Sequence, residues 1–116
     1  MKKLALLFAL LTATPALASP SDMICNVGPT SKSYGDTSWL VYACNDGHSI
    51  SIVSAPGSKA LPFVFFFHWE GSTYQLSGVG TGDKAFTDAA FLELKALTGT
   101  DIEHLLAEAQ AKAHHH

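Results

Sequence analysis

The hydrophobic pattern of this 116-residue chain changes period once, near Asp83, and that single change limits the folds open to it. Before Asp83 apolar residues recur at alternate positions, as in strands with one buried face. After it they recur at every third or fourth, as in amphipathic helices. Strands followed by helices predict an α+β domain: an antiparallel sheet of about four to five strands followed by two C-terminal helices packed on one face.

The strands are read from alternation and turn residues. Residues 24–27 are expected to form a short edge strand carrying Cys25, and Gly28 to Thr37 (GPTSKSYGDT), rich in turn formers, a loop. In Ser38 to Cys44, Trp39, Val41 and Ala43 fall on one face. Asn45-Asp46-Gly47 is a hairpin signal, because Asp-Gly readily supplies positive φ angles, and it leads into His48 to Ser54 with Ile50 and Ile52 on one face. Phe63 to Trp69 (FVFFFHW) is apolar on both faces, which suits a central strand covered on each side. Glu70-Gly71-Ser72 turns the chain into Thr73 to Val79.

Thr87 is the expected N-cap of the first helix, with Phe86 and Phe91 as a hydrophobic staple and an apolar stripe of Phe91, Leu94 and Leu97 ending at Gly99. Thr100-Asp101-Ile102-Glu103 reads as a capping box for a second helix that buries Ile102, Leu105, Leu106 and Ala109.

The opening residues have the three parts of a secretory signal: basic Lys2-Lys3, the apolar run Leu4 to Leu11, and the small-x-small triplet Ala16-Leu17-Ala18. The apolar run is shorter than the roughly 20 residues needed to span a bilayer, so residues 1–18 are expected to be removed after Ala18. Residues 19–113 are then expected to form one domain in the periplasm, without insertion in the membrane, ahead of a His114–His116 tail. Cys25 and Cys44 are the only cysteines, and an even count in an exported chain predicts a disulfide between them.

Beyond the signal, five lysines and no arginine stand against ten acids. Without a basic patch, nucleic acid is not an expected partner. No Ser/His/Asp elbow and no phosphate-binding glycine loop occurs. Neither His48 nor His68 sits in a catalytic motif, and most acids fall in turns or at helix starts, where solvation and capping account for them. Within residues 19–113 no set of three or four closely spaced His or Cys ligands is present. The expectation is a protein that is not an enzyme and has no cofactor or metal.

Tyr42-Ala43-Cys44-Asn45-Asp46-Gly47, followed by Ile50 and Ile52, resembles the Tyr-x-Cys-x-x-Gly hairpin of MliC-type periplasmic lysozyme inhibitors, and Trp69 to Leu76 resembles their later Gly-x-x-Tyr-x-Leu strand. The resemblance implies a small β-barrel that plugs a lysozyme cleft with a Ser-Gly-x-x-Tyr loop and a downstream lysine. Thr81 to Phe86 stands where that loop would be, with threonine for serine, and two helices replace the downstream hairpin. The layout is also similar to periplasmic immunity proteins that neutralise toxins. Both comparisons imply a protein that binds and inhibits another protein, such as a muramidase or an envelope-targeting toxin. The expected contacts are exposed loops: Tyr34 and Asp36, Asp46 and His48, Asp83 and Lys84. The alternative is a small-ligand or envelope-component binding module with an aromatic cleft built from Phe63, Phe65, Phe67 and Trp69.

Overall fold

The computed structural model describes residues 22–113. The expected signal segment, with the cleavage expected after Ala18, and the His114–His116 tail lie outside the described residues. Five strands, β1 (Val27–Tyr34), β2 (Thr37–Ala43), β3 (Ile50–Ser54), β4 (Phe63–Trp69) and β5 (Tyr74–Gly80), precede two helices, α1 (Lys84–Leu94) and α2 (Gly99–Ala113). The strands form one antiparallel sheet in chain order, a meander with β1 and β5 as its edges. This is the expected α+β architecture. The sheet is open, where the resemblance to the inhibitor family implies a closed barrel.

Both helices lie on one face, the face on which the sheet's largest side chains are buried. Trp39, Val41 and Ala43 of β2, Ile50 and Ile52 of β3, and Phe65 and Phe67 of β4 alternate inward and are buried. Ala90 and Leu94 of α1 and Ile102, Leu105, Leu106 and Ala109 of α2 close over them as one cluster. Each large side chain so buried stabilises the fold by roughly 1.5–3 kcal/mol. α2 packs most closely against β1 and β2, and Lys32 on β1 reaches Glu108 on α2 at 2.7 Å.

Five local expectations are corrected. Gly28 to Thr37 is not a loop: it supplies nearly all of β1 and a tight turn. Tyr34 pairs with Thr37, and Gly35 and Asp36 between them have φ near +60°, as a two-residue type I′ turn requires. The alternation was present, with Thr30, Lys32 and Tyr34 more buried than Ser31 and Ser33, but it is polar because this is an edge strand. Gly35 serves a second purpose: a Cβ there would meet the Ala90 nitrogen at 2.6 Å and the Phe86 carbonyl oxygen at 2.8 Å, so α1 rests directly on the turn. The segment before β1 is not a strand. Cys25 is instead held by its disulfide to Cys44 and by Asn45, whose N–H donates to the Ile24 carbonyl at 2.8 Å and whose Oδ1 accepts from the Ile24 N–H at 3.2 Å.

The helix starts also move. Asp83, not Thr87, caps α1, its carboxylate accepting from the Ala85 N–H at 2.9 Å, and Thr87 is buried inside the helix. The capping box of α2 lies two residues earlier than expected. The Asp101 N–H donates to Thr98 Oγ1 at 3.1 Å and the Thr98 N–H to Asp101 Oδ2 at 2.9 Å, so aspartate fills the place expected for Glu103. Those bonds from Thr98, with a smaller contribution from His104, hold the Asp101 carboxyl below its ordinary range. Finally, β4 is fourth of five and covered on one side only. Phe65 and Phe67 are buried, whereas Val64, Phe66 and His68 on the opposite face are half-exposed.

Candidate functional site: an aromatic cleft beside β5

The helices do not cover the whole inner face. α2 lies across β1 to β3, and α1 rests on the β1–β2 turn, so the inner face of the β4–β5 hairpin is left partly open. Phe63, Phe65, Phe67 and Trp69 of β4 stand there opposite Gly80, Gly78, Leu76 and Tyr74 of β5. Two cavities of about 540 Å³ each follow this hairpin, one toward each end. That volume suits a small organic ligand or an amino-acid side chain with its neighbours.

The lower cavity has Phe67, Trp69, Tyr74, Leu76 and Leu97 as apolar walls, and the hydroxyls of Ser72, Thr73, Thr98 and Thr100 with Lys95 and Glu103 as polar surroundings. Trp69 and Tyr74 lie with ring centroids 4.9 Å apart and planes tilted by 58°, while Tyr74 meets Phe67 edge-on at 6.3 Å. The upper cavity is lined by Phe63, Phe65 and Phe91 with Lys84, Thr87 and Asp88. A Cβ at Gly78 would meet the Phe63 and Phe65 rings at 2.8–2.9 Å; glycine lets the rings lie flat against β5 and form this wall.

A hydrogen-bonded relay fixes the Trp69 end. Ser49 is fully buried; its hydroxyl donates to Asp46 Oδ2 and accepts from the Trp69 N–H at 2.8 Å. Asp46 Oδ1 also accepts from the N–H groups of His48 at 2.9 Å and Ser49 at 2.7 Å. The His48 ring stacks on Trp69 with centroids 4.9 Å apart, and the Tyr74 hydroxyl donates to the His48 carbonyl at 2.9 Å. Burial, with the charges of Glu103 and Asp46, raises the Tyr74 pKa and keeps that donor protonated. Ser49→Ala is expected to destabilise the domain by about 2 kcal/mol, since it leaves the Trp69 N–H without a partner. Urea unfolding measures the loss, and Trp69 emission should shift with it.

The same relay sets a pH dependence. Partial burial opposes ionisation of Asp46, but the Ser49 hydroxyl, the two N–H donors and nearby His48 outweigh it, and its pKa falls below the ordinary value. A carboxylate with a lowered folded-state pKa stabilises the fold above its unfolded pKa, and the gain disappears as pH falls through the folded value. Asp46→Asn is therefore expected to reduce stability at neutral pH and to flatten the acid limb below about pH 4. Thermal unfolding of both proteins across that range checks it.

The six residues expected at a partner surface separate. Asp46 and His48 sit at the lower end of the sheet against the Trp69 side of the cleft. Lys84 lines the upper cavity, 3.6 Å from Asp88, and Asp83 beside it caps α1. Asp36 is exposed in the β1–β2 turn, and Tyr34 packs half-buried against the core. Burial and the charges of Glu108, Glu93 and Asp101 push the Tyr34 pKa up to about 12, so it stays neutral. Tyr74, Leu76, Leu97 and the Thr98–Thr100 link, which sequence reasoning did not place at the site, complete the cleft. Their signal was the alternation of Tyr74 with Leu76, but which helix would leave that face open depends on how α1 packs. Among the described residues no group of three or more His, Cys, Asp or Glu side chains is placed to hold a metal ion. The chain matches no family, no curated protein and no solved structure in the comparisons made.

Proposed function

We propose that this domain is an exported, non-catalytic binding protein whose site is the aromatic cleft between the β4–β5 hairpin and the helices. The observation that carries the reading is the pair of cavities along the inner face of the β4–β5 hairpin, each walled by aromatic side chains and bordered by hydroxyls and a few charges. An apolar floor with sparse polar groups at its edge suits a ligand or protein segment that is itself largely apolar or aromatic, oriented by hydrogen bonds at the rim. The Cys25–Cys44 disulfide supports an oxidising compartment such as the periplasm.

Inhibition of another protein is a second form of the same reading. His48 stacks on Trp69 and Lys84 lines the upper cavity, so a partner inserting an apolar side chain into the cleft would meet the β2–β3 turn at one end and the start of α1 at the other. The acidic balance of the chain favours a basic partner.

The test uses the two tryptophans. Trp39 is fully buried, and Trp69 lines the cleft. In a Trp39→Phe protein, titration with the apolar probe anilinonaphthalene sulfonate should change Trp69 emission to saturation. Leu76→Asp, which removes an apolar wall and repels the probe's sulfonate, should weaken that binding at least ~10-fold while the far-ultraviolet circular dichroism stays unchanged. Non-saturable binding, or binding indifferent to Leu76→Asp, would remove the cleft as the site.

A further inference from the structure

The two edges of the sheet differ. β1 has Pro29, Lys32 and a register shift between Val27 and Thr30, and α2 packs along it; proline, lysine and irregularity are devices that keep an edge from pairing with another chain. β5 has none of them. Its sequence, Tyr74-Gln75-Leu76-Ser77-Gly78-Val79-Gly80, carries no charge and no proline, and it pairs with β4 over all seven positions without interruption. Among the described residues nothing pairs with its other side.

The groups on that free side follow from the ladder. The Glu70 N–H donates to the Thr73 carbonyl and the Thr81 N–H to the Pro62 carbonyl, which makes these hydrogen-bonded pairs. Alternation along an antiparallel ladder then turns Gln75, Ser77 and Val79 toward β4. The N–H and C=O groups of Tyr74, Leu76, Gly78 and Gly80 point outward.

We propose that a second copy of this chain pairs with β5 across a two-fold axis at Ser77, joining two sheets into one. In this antiparallel register Tyr74 lies opposite Gly80 of the second copy and Leu76 opposite Gly78, so the outward-pointing groups meet their counterparts along the full strand. The side chains fit as well. On the inner face each large residue faces a glycine, so Tyr74 and Leu76 of one copy meet no Cβ across the seam and lie beside the Phe63 and Phe65 rings that cover Gly80 and Gly78 of the other. On the outer face Ser77 meets Ser77, a pair that can exchange a hydrogen bond, and Gln75 meets Val79. With no charge on either strand, the two-fold sets no like charges against each other. The pairing also supplies a wall along β5, where the cleft is bordered by β5 alone, though self-association stands independently of what the cleft binds.

The experiment is sedimentation of the mature, disulfide-intact protein over a range of concentrations, with two variants at the exposed Ser77. Wild type should show a reversible monomer–dimer equilibrium. Ser77→Lys, which places two ammonium groups opposite each other, should remain monomeric with unchanged circular dichroism. Because Cys25 and Cys44 are paired, Ser77→Cys adds one thiol and should oxidise to a covalent dimer in high yield, whereas Gln75→Cys and Val79→Cys, each facing the other position, should not. A monomeric wild type at the highest attainable concentration, or a dimer that survives Ser77→Lys, would overturn the proposal. In the first case the edge is left to an extended segment of another protein.

Discussion

Replacing Trp39 with alanine is expected to cost about 4 kcal/mol of stability and to lower the melting temperature by roughly 20 °C. Trp39 is fully buried at the centre of the sheet's inner face. Its ring meets Phe65 at a centroid distance of 5.3 Å and Phe63 edge-on at 6.5 Å, and its Nε1 donates to the Tyr34 carbonyl at 2.9 Å. Truncation leaves a cavity under the helices and removes the bond that ties β2 to the end of β1. A domain of this size has a total stability of about 5–15 kcal/mol, so much of the variant should be unfolded at moderate urea. Trp39→Phe separates the two effects: it keeps most of the packing and loses the hydrogen bond, and about 1–2 kcal/mol is expected from chemical denaturation. A loss below about 1 kcal/mol for Trp39→Ala would mean that the core is not organised around this side chain.

Loss of the disulfide has the second largest expected effect. Cys25 and Cys44 are 19 residues apart, and closing a loop of that length stabilises the folded state by about 3 kcal/mol through the unfolded chain's lost entropy. The bridge also holds residues 22–26 beside the β2–β3 turn, where Asn45 bonds to Ile24 and its Nδ2 donates to the Asp22 carbonyl at 3.3 Å. The Cys25→Ala/Cys44→Ala double variant, or dithiothreitol treatment, is expected to lower the melting temperature by roughly 15 °C, with amide exchange rising first in residues 22–27. Equal melting of oxidised and reduced protein would contradict it.

The parts of this fold legible in the sequence are those where one local pattern decides the outcome. Trp39, Val41 and Ala43 alternate against Ile50 and Ile52 across an Asp-Gly turn, and Ile102, Leu105, Leu106 and Ala109 repeat at helical spacing; all are buried as their patterns require. β1 was hidden because its residues look like a loop. Their strand conformation comes from pairing with β2 and from the Gly35–Asp36 turn beneath α1, which are tertiary facts. The N-caps moved because Asp83 and Thr98 offer the same chemistry a few residues upstream of Thr87 and Thr100. For the site, the aromatic run Phe63 to Trp69 was visible as a possible cleft. Whether its inner face is filled or open depends on α1 resting on the β1–β2 turn instead of on β5, and no spacing in the chain encodes that.

The measurement that bears most directly on the central claim is amide and methyl NMR of the disulfide-intact domain, residues 19–113, titrated with a set of small aromatic and aliphatic fragments. Binding in the cleft predicts saturable shifts at Phe67, Trp69, Tyr74, Leu76 and Leu97, or at Phe63, Gly78 and Phe91, with β1 and the outer face of the sheet unmoved. Shifts confined to the Tyr34–Asp36 turn or to the outer-face residues Leu40, Val53 and Val64, or no saturable shift with any fragment, would contradict it.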